Sequence, residues 1–119
     1  MNMRKEIQNR LEDFSVMIYK LSKTAAKEYF ASYMIKQLIR SAASAALNYG
    51  EAQSAETKKD FIHKTGVVLK ELRESNINLN ILQKSEIIND KGLLHLAMEE
   101  SHQLVSIFYR TVQTAKNNQ

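Results

Sequence analysis

Ile7, Leu11, Phe14, Ile18 and Leu21 recur at spacings of four and three, with polar or charged residues between them. That spacing puts all five on one face of a helix and predicts a first helix over about residues 3–22. A short break at Ser22, Lys23 and Thr24 follows, with Thr24 placed to cap a second helix over about residues 25–49. Along that helix Phe30, Met34, Leu38, Ser41 or Ala42, Ala45 and Tyr49 form one stripe. Ile35, Ile39 and Ala46 form another beside it, so the apolar face is broad. The run from Ser41 to Ala46 carries only small side chains, which allow two helix backbones to come close.

Gly50 stands where a left-handed residue would end the second helix. Ser54 or Thr57 is expected to cap a third helix over about residues 55–83. Thr57 and Asp60 have the spacing of a capping box, with Asp in place of the usual Glu. Phe61, Val68, Leu72, Leu79 and Leu82 line one face of it, and Ile62, Leu69, Ile77 and Ile81 widen that face. Gly66 in mid-helix costs up to ~1 kcal/mol against Ala, so a close backbone contact is expected there. Asn89 or Asp90 then caps a fourth helix over about residues 91–116, whose stripe is Leu94, Ala97 or Met98, Ser101, Leu104, Phe108 and Val112.

Short connections make successive helices antiparallel neighbours. The expected fold is therefore all-α, an antiparallel up-down-up-down four-helix bundle forming a single domain. The widened faces, with Leu93, Leu96 and Ile107 on the fourth helix, exceed what one small bundle buries. The surplus is read as subunit interface, and the chain as a homo-oligomer.

Composition narrows the picture without redirecting it. The 119 residues include no Pro, only three Gly and no Cys. A strand protein needs more turn residues, and without thiols neither disulfides nor a thiolate metal site can form. No apolar run approaches the ~20 residues of a spanning helix, and no apolar stretch follows the early cations as in a secretory signal. A cytoplasmic protein with no membrane role is expected.

Candidate chemistry is sparse. His95, Glu99 and His102 share one face of the fourth helix, and Glu99 to His102 reads as the Glu-x-x-His element of di-iron bundles. Such bundles need that element twice, and here it occurs once, so no metal site and no cofactor are expected. His63 has no neighbouring nucleophile or acid to serve as its partner in catalysis. Neither a glycine-rich phosphate loop nor a nucleophile elbow is present, and the chain reads as non-enzymatic.

Polar residues on inward faces say more. Arg40, Ser44, Asn48 and Glu51 follow one side of the second helix, after Gln37. In an antiparallel hairpin, Glu71 and Glu74 of the third helix come to the height of Arg40. An Arg40 pair with Glu71 or Glu74 is expected to fix the register of the two helices. The net charge of +4 raises the prior for anionic partners. The local excesses are Arg4, Lys5 and Arg10, then Lys20, Lys23 and Lys27 around the first corner, then Lys58, Lys59 and Lys64. These are the candidate contacts for RNA or DNA, of a kind that follows phosphates and weakens with salt.

The segment from Gln37 to Ser75 resembles the bacterial four-helix-bundle family of ribosomal intervening-sequence proteins. Its Gln-Leu-x-Arg-Ser matches Gln37, Leu38, Arg40 and Ser41. Ser44, Asn48, Tyr49, Glu51 and Ala52 continue the pattern, followed by Asp60, Phe61, Ile62, Lys64 and Gly66. Leu69, Lys70, Glu71, Leu72 and Glu74 close it. The end of the fourth helix, from Glu100 to Lys116, is also similar. One departure stands out, since the family usually has Tyr-Trp-Leu where this chain has Ile77, Asn78 and Leu79. The resemblance implies a homopentameric ring and a kinship with accessory proteins of diversity-generating retroelements, basic barrels that bind nucleic acid and a reverse transcriptase. A protein-binding scaffold without a nucleic-acid role is the other function class compatible with this pattern.

Overall fold

A computed structural model describes residues 2–118. The chain forms α1 (Met3–Ser22), α2 (Tyr29–Gln53), α3 (Lys58–Ser85) and α4 (Lys91–Asn117). Each helix packs on its neighbours in sequence, and α1 closes the square against α4. The result is the expected all-α four-helix bundle, 46 Å along its axis.

The apolar stripes supply the core. Leu11, Phe14, Ile18 and Leu21 of α1 are fully buried, as are Leu38, Ala42 and Ala45 of α2. Val68, Leu72, Leu79 and Leu82 face them from α3, and Ala97, Leu104 and Phe108 from α4. Tyr49 meets Phe108 edge to face, with ring centres 5.2 Å apart. The small side chains Ser41, Ala42, Ala45 and Ala46 are all buried, which is how α2 comes close to its neighbours. Of the widened faces, Ile35, Ala46 and Leu69 join the core, while Ile39, Ile77, Ile81 and Leu96 stay exposed.

Helix ends follow local chemistry where side chains cap them. The Asn2 side chain accepts from the amides of Arg4 and Lys5, Thr57 from Asp60, and Asp90 from Leu93. Three expectations fail. Gly50 does not end α2; it lies inside the helix, and among the described residues no glycine has a positive φ. The helix instead runs three residues further, with Ala52 buried and Gln53 donating a 3.0 Å hydrogen bond to Gln8 of α1. Thr24 does not cap α2, because its hydroxyl donates to Leu21 O and its carbonyl accepts from the amide of Asn89. Residues around Ala25 and Ile88 pair as one antiparallel bridge, and the Ala26 amide donates to Ile87 O at 2.7 Å. That pairing of two corners delays the start of α2 to Tyr29. Gly66 makes no close contact, since a Cβ there would find nothing within 4 Å.

Among the described residues no helix is long and apolar enough to cross a membrane.

Candidate nucleic-acid interface

The antiparallel order sorts the candidate cations between the two ends of the bundle. Arg4 and Lys5 open α1 beside the start of α3, where the Arg4 guanidinium lies 6.0 Å from the centre of the Phe61 ring. Lys58 and Lys59 are at the same end, and Lys58 Nζ donates to Asn118 O at 2.6 Å. Two cations are engaged with carboxylates. Arg10 binds Glu100 through a two-pronged pair, and Lys64 Nζ is 2.9 Å from Glu51. The hydrogen bonds and charge of these partners raise both cations above their ordinary values.

Lys20, Lys23 and Lys27 belong to the opposite end, where α1 turns into α2. Lys23 and Lys27 border an open groove of about 820 Å³ along the α1–α2 corner. Lys36 joins them one helix face further along α2, and Glu28 is the only carboxylate on the lining, against three lysines. Its apolar part is built by Ala31, Ile35 and Ile39. Lys23 Nζ sits 4.5 Å over the Tyr19 ring, a cation–π contact at the groove's edge. Tyr29 is 84% exposed and stacks on Tyr33, with ring centres 6.4 Å apart and planes 22° from parallel. Three lysines and the exposed Tyr29 on one lining offer both phosphate contacts and a base-stacking surface. The lysines at positions 23 and 27 are legible as a basic corner. Lys36 and the tyrosines are less so, although Tyr29, Tyr33 and Lys36 have the four-three spacing of one helix face.

The inward polar residues form two clusters that meet at Ser44 and one separate pair. Arg40 Nη1 donates to Glu71 Oε2 at 3.0 Å, and Nη2 reaches Ser41 Oγ at 3.2 Å and Glu74 Oε1 at 3.4 Å. The Glu71 side chain is only 8% exposed against 51% for Arg40, so the pair is half-sunk rather than buried. Burial disfavours the Glu71 carboxylate, but the Ser44 hydroxyl, Glu74 and Arg40 together outweigh it and lower its pKa. Glu74 moves the other way, raised by burial, then by its hydrogen bond with Glu71 and by the Glu71 charge. Asn48 turns back onto Ser44, donating to its carbonyl at 2.9 Å and its hydroxyl at 3.0 Å. Glu51 is apart from both, on Lys64.

His95 Nε2 lies 3.1 Å from Glu99 on the exposed face of α4, and His102 borders a different groove with Arg10 and Arg110. His63 is exposed. Among the described residues no group of three or more His, Cys, Asp or Glu is arranged to hold a metal ion.

The model of the 23S rRNA-intervening sequence protein family matches residues 4–110, which takes in all but the last turns of the bundle. The chain belongs to that family. A solved structure is similar over most of the chain. It is a protein of unknown function from the S23 ribosomal protein family of Bacteroides thetaiotaomicron, 28% identical, with a TM-score of 0.79. The alignment covers 89% of this chain and 97% of that one. No curated protein matches the chain. Neither the family description nor that solved structure names an activity.

Proposed function

We propose that this protein is a non-enzymatic accessory that binds single-stranded nucleic acid without reading its sequence, working as a homo-oligomer. The observation that carries this is the α1–α2 groove, lined by Lys23, Lys27, Lys36 and the exposed Tyr29, with Tyr19 beneath Lys23 and Tyr33 stacked on Tyr29. Lysine ammonium groups follow phosphates, and tyrosine faces take bases of any identity. No side chain there forms the rigid two-donor fork that distinguishes one base from another. The family's link to rRNA insertions, and the pentameric ring implied by the resemblance, fit a multivalent binder in which weak sites add up.

Fluorescence anisotropy with single-stranded RNA and single-stranded DNA, at low and at moderate salt, tests the reading. Binding should weaken steeply with salt. Replacing Lys23, Lys27 and Lys36 together by Gln should reduce the log–log salt slope by about 2, since each neutralised phosphate of a single strand contributes ~0.7. Tyr29→Ala should cost about tenfold in affinity at any salt, as expected for one stacked base. An absence of binding at low salt would overturn the proposal.

A further inference from the structure

The corner where α3 turns into α4 holds a small recess of about 160 Å³, lined by Gln83, Glu86, Ile88, Lys91, Leu94 and His95. Its floor is apolar, because Ile88 and Leu94 are only 2% and 5% exposed. Its rim is polar, since the other four residues are exposed. An apolar cavity of ~150 Å³ takes up one benzene-sized ring, whereas cofactor-sized ligands need ~300 Å³ or more. The recess therefore has room for a single six-membered ring.

The rim narrows the choice of ring. Glu86 and Lys91 oppose each other in charge, so the recess suits a neutral group better than an ion. The Gln83 amide can both donate and accept. His95 turns Nε2 toward Glu99 at 3.1 Å, which leaves its other ring nitrogen for a further hydrogen bond. A flat, neutral ring with a hydrogen-bonding edge uses both floor and rim.

Position supplies the rest. Ile88 pairs with Ala25 in the bridge that joins the two corners, and Ala25 lines the α1–α2 groove. The groove and the recess are thus neighbours at one end of the bundle, each lined by one member of the same bridging pair. A strand whose phosphates follow Lys23 and Lys27 comes within reach of Lys91 and the recess where it leaves the groove.

We propose that the recess at the α3–α4 corner takes one pyrimidine base of the strand bound in the α1–α2 groove and refuses a purine by size. The groove accepts bases of any identity. The recess adds a preference at one position, through its volume rather than through a base-specific pattern of donors. This rests on the nucleic-acid reading and adds which bases the strand favours and where.

Fluorescence anisotropy at low salt, with oligo-uridine and oligo-adenosine of about 10 nucleotides, tests it. The wild-type chain should bind oligo-uridine about tenfold more tightly. Adenosine strands also stack on themselves, so the decisive quantity is how that ratio changes on substitution. Replacing Gln83 and His95 together by Ala should lower the oligo-uridine affinity about tenfold and leave oligo-adenosine unchanged, which removes the preference. Replacing Lys23 and Lys27 by Gln should instead weaken both strands alike. Circular dichroism checks that each variant keeps its helices. A wild-type chain that binds neither strand would overturn the nucleic-acid reading and the pocket together. Equal wild-type affinity for the two strands, or a preference that survives the Gln83 and His95 substitutions, would overturn the pocket alone.

Discussion

Arg10 on α1 grips Glu100 on α4 through two hydrogen bonds, Nη2 to Oε1 at 2.7 Å and Nε to Oε2 at 3.1 Å, while Gln103 accepts a third from Nη2. This is the main polar link across the face that closes the bundle. The side chains are 34% and 21% exposed, so the pair is partly shielded and its planar fork is fully used. A double-mutant cycle on Arg10→Ala and Glu100→Ala, read by urea denaturation, should give a coupling of about 1 kcal/mol. A coupling near zero would make the link ornamental.

The glycines and one glutamate make a second, opposite-signed test. Gly50 and Gly66 are inside helices, where a new Cβ meets only Gln8 Oε1 at 3.7 Å in the first case and nothing in the second. Each Gly→Ala change should stabilise the chain by about 0.5–1 kcal/mol. Glu86 at the end of α3 has φ 57°, a left-handed conformation that costs a side chain energy. Glu86→Gly should therefore also stabilise, by up to ~1 kcal/mol, although glycine weakens helices elsewhere. Thermal melts of the three variants decide it, and a loss in any one contradicts the local account.

The small-residue face of α2 sets the spacing of the bundle. Ala45 is fully buried on that face, so a larger side chain there presses on the helices packed around it. Ala45→Leu should cost about 1–3 kcal/mol through overpacking. An unchanged denaturation midpoint would mean that this spacing is soft.

Glu71 and Glu74 carry the pH dependence. Glu71 has a lowered pKa in the fold, so its contribution is present above the ordinary glutamate value and is lost as pH falls through the lowered one. Glu74 has a raised pKa, so its ionised form costs stability above that value, and the cost disappears as pH falls toward the ordinary range. Glu74→Gln should make the dilute chain more stable at neutral pH, by less than about 1 kcal/mol because the group is partly solvated, with no gain once the wild-type carboxyl is protonated. Urea midpoints at neutral pH and near pH 3 test this, and a gain that persists in acid contradicts it.

Much of the fold is legible from periodicity, because core side chains on a helix must recur every three or four residues. Leu11, Phe14, Ile18 and Leu21, or Leu94, Leu104, Phe108 and Val112, are buried as their spacing requires. What escapes that reading depends on partners distant in the chain. Gly50 looks like a helix stop until Gln53 is seen holding α2 onto Gln8 of α1. Thr24 looks like a cap until Asn89 claims its carbonyl. Arg10 looks like a free cation until the bundle closes and brings Glu100 to it. The Arg40–Glu71 contact is nearer to being local, since a hairpin of known sense is enough to align the two residues. The lysine-lined groove falls between these cases, since Lys23 and Lys27 are visible as a run while the turn from α1 to α2 is what sets them beside Tyr29 and Lys36.

The bridge between Ala25 and Ile88 bears on the order of folding. It joins the α1–α2 corner to the α3–α4 corner through backbone bonds alone, across more than half the chain. Each helical hairpin can form from contacts near in sequence, but these bonds close only when the two hairpins meet. The amides of Ala26 and Asn89 thus report on docking, and their hydrogen exchange should be slowed only in the fully assembled bundle. They are a built-in clock for the last step of folding.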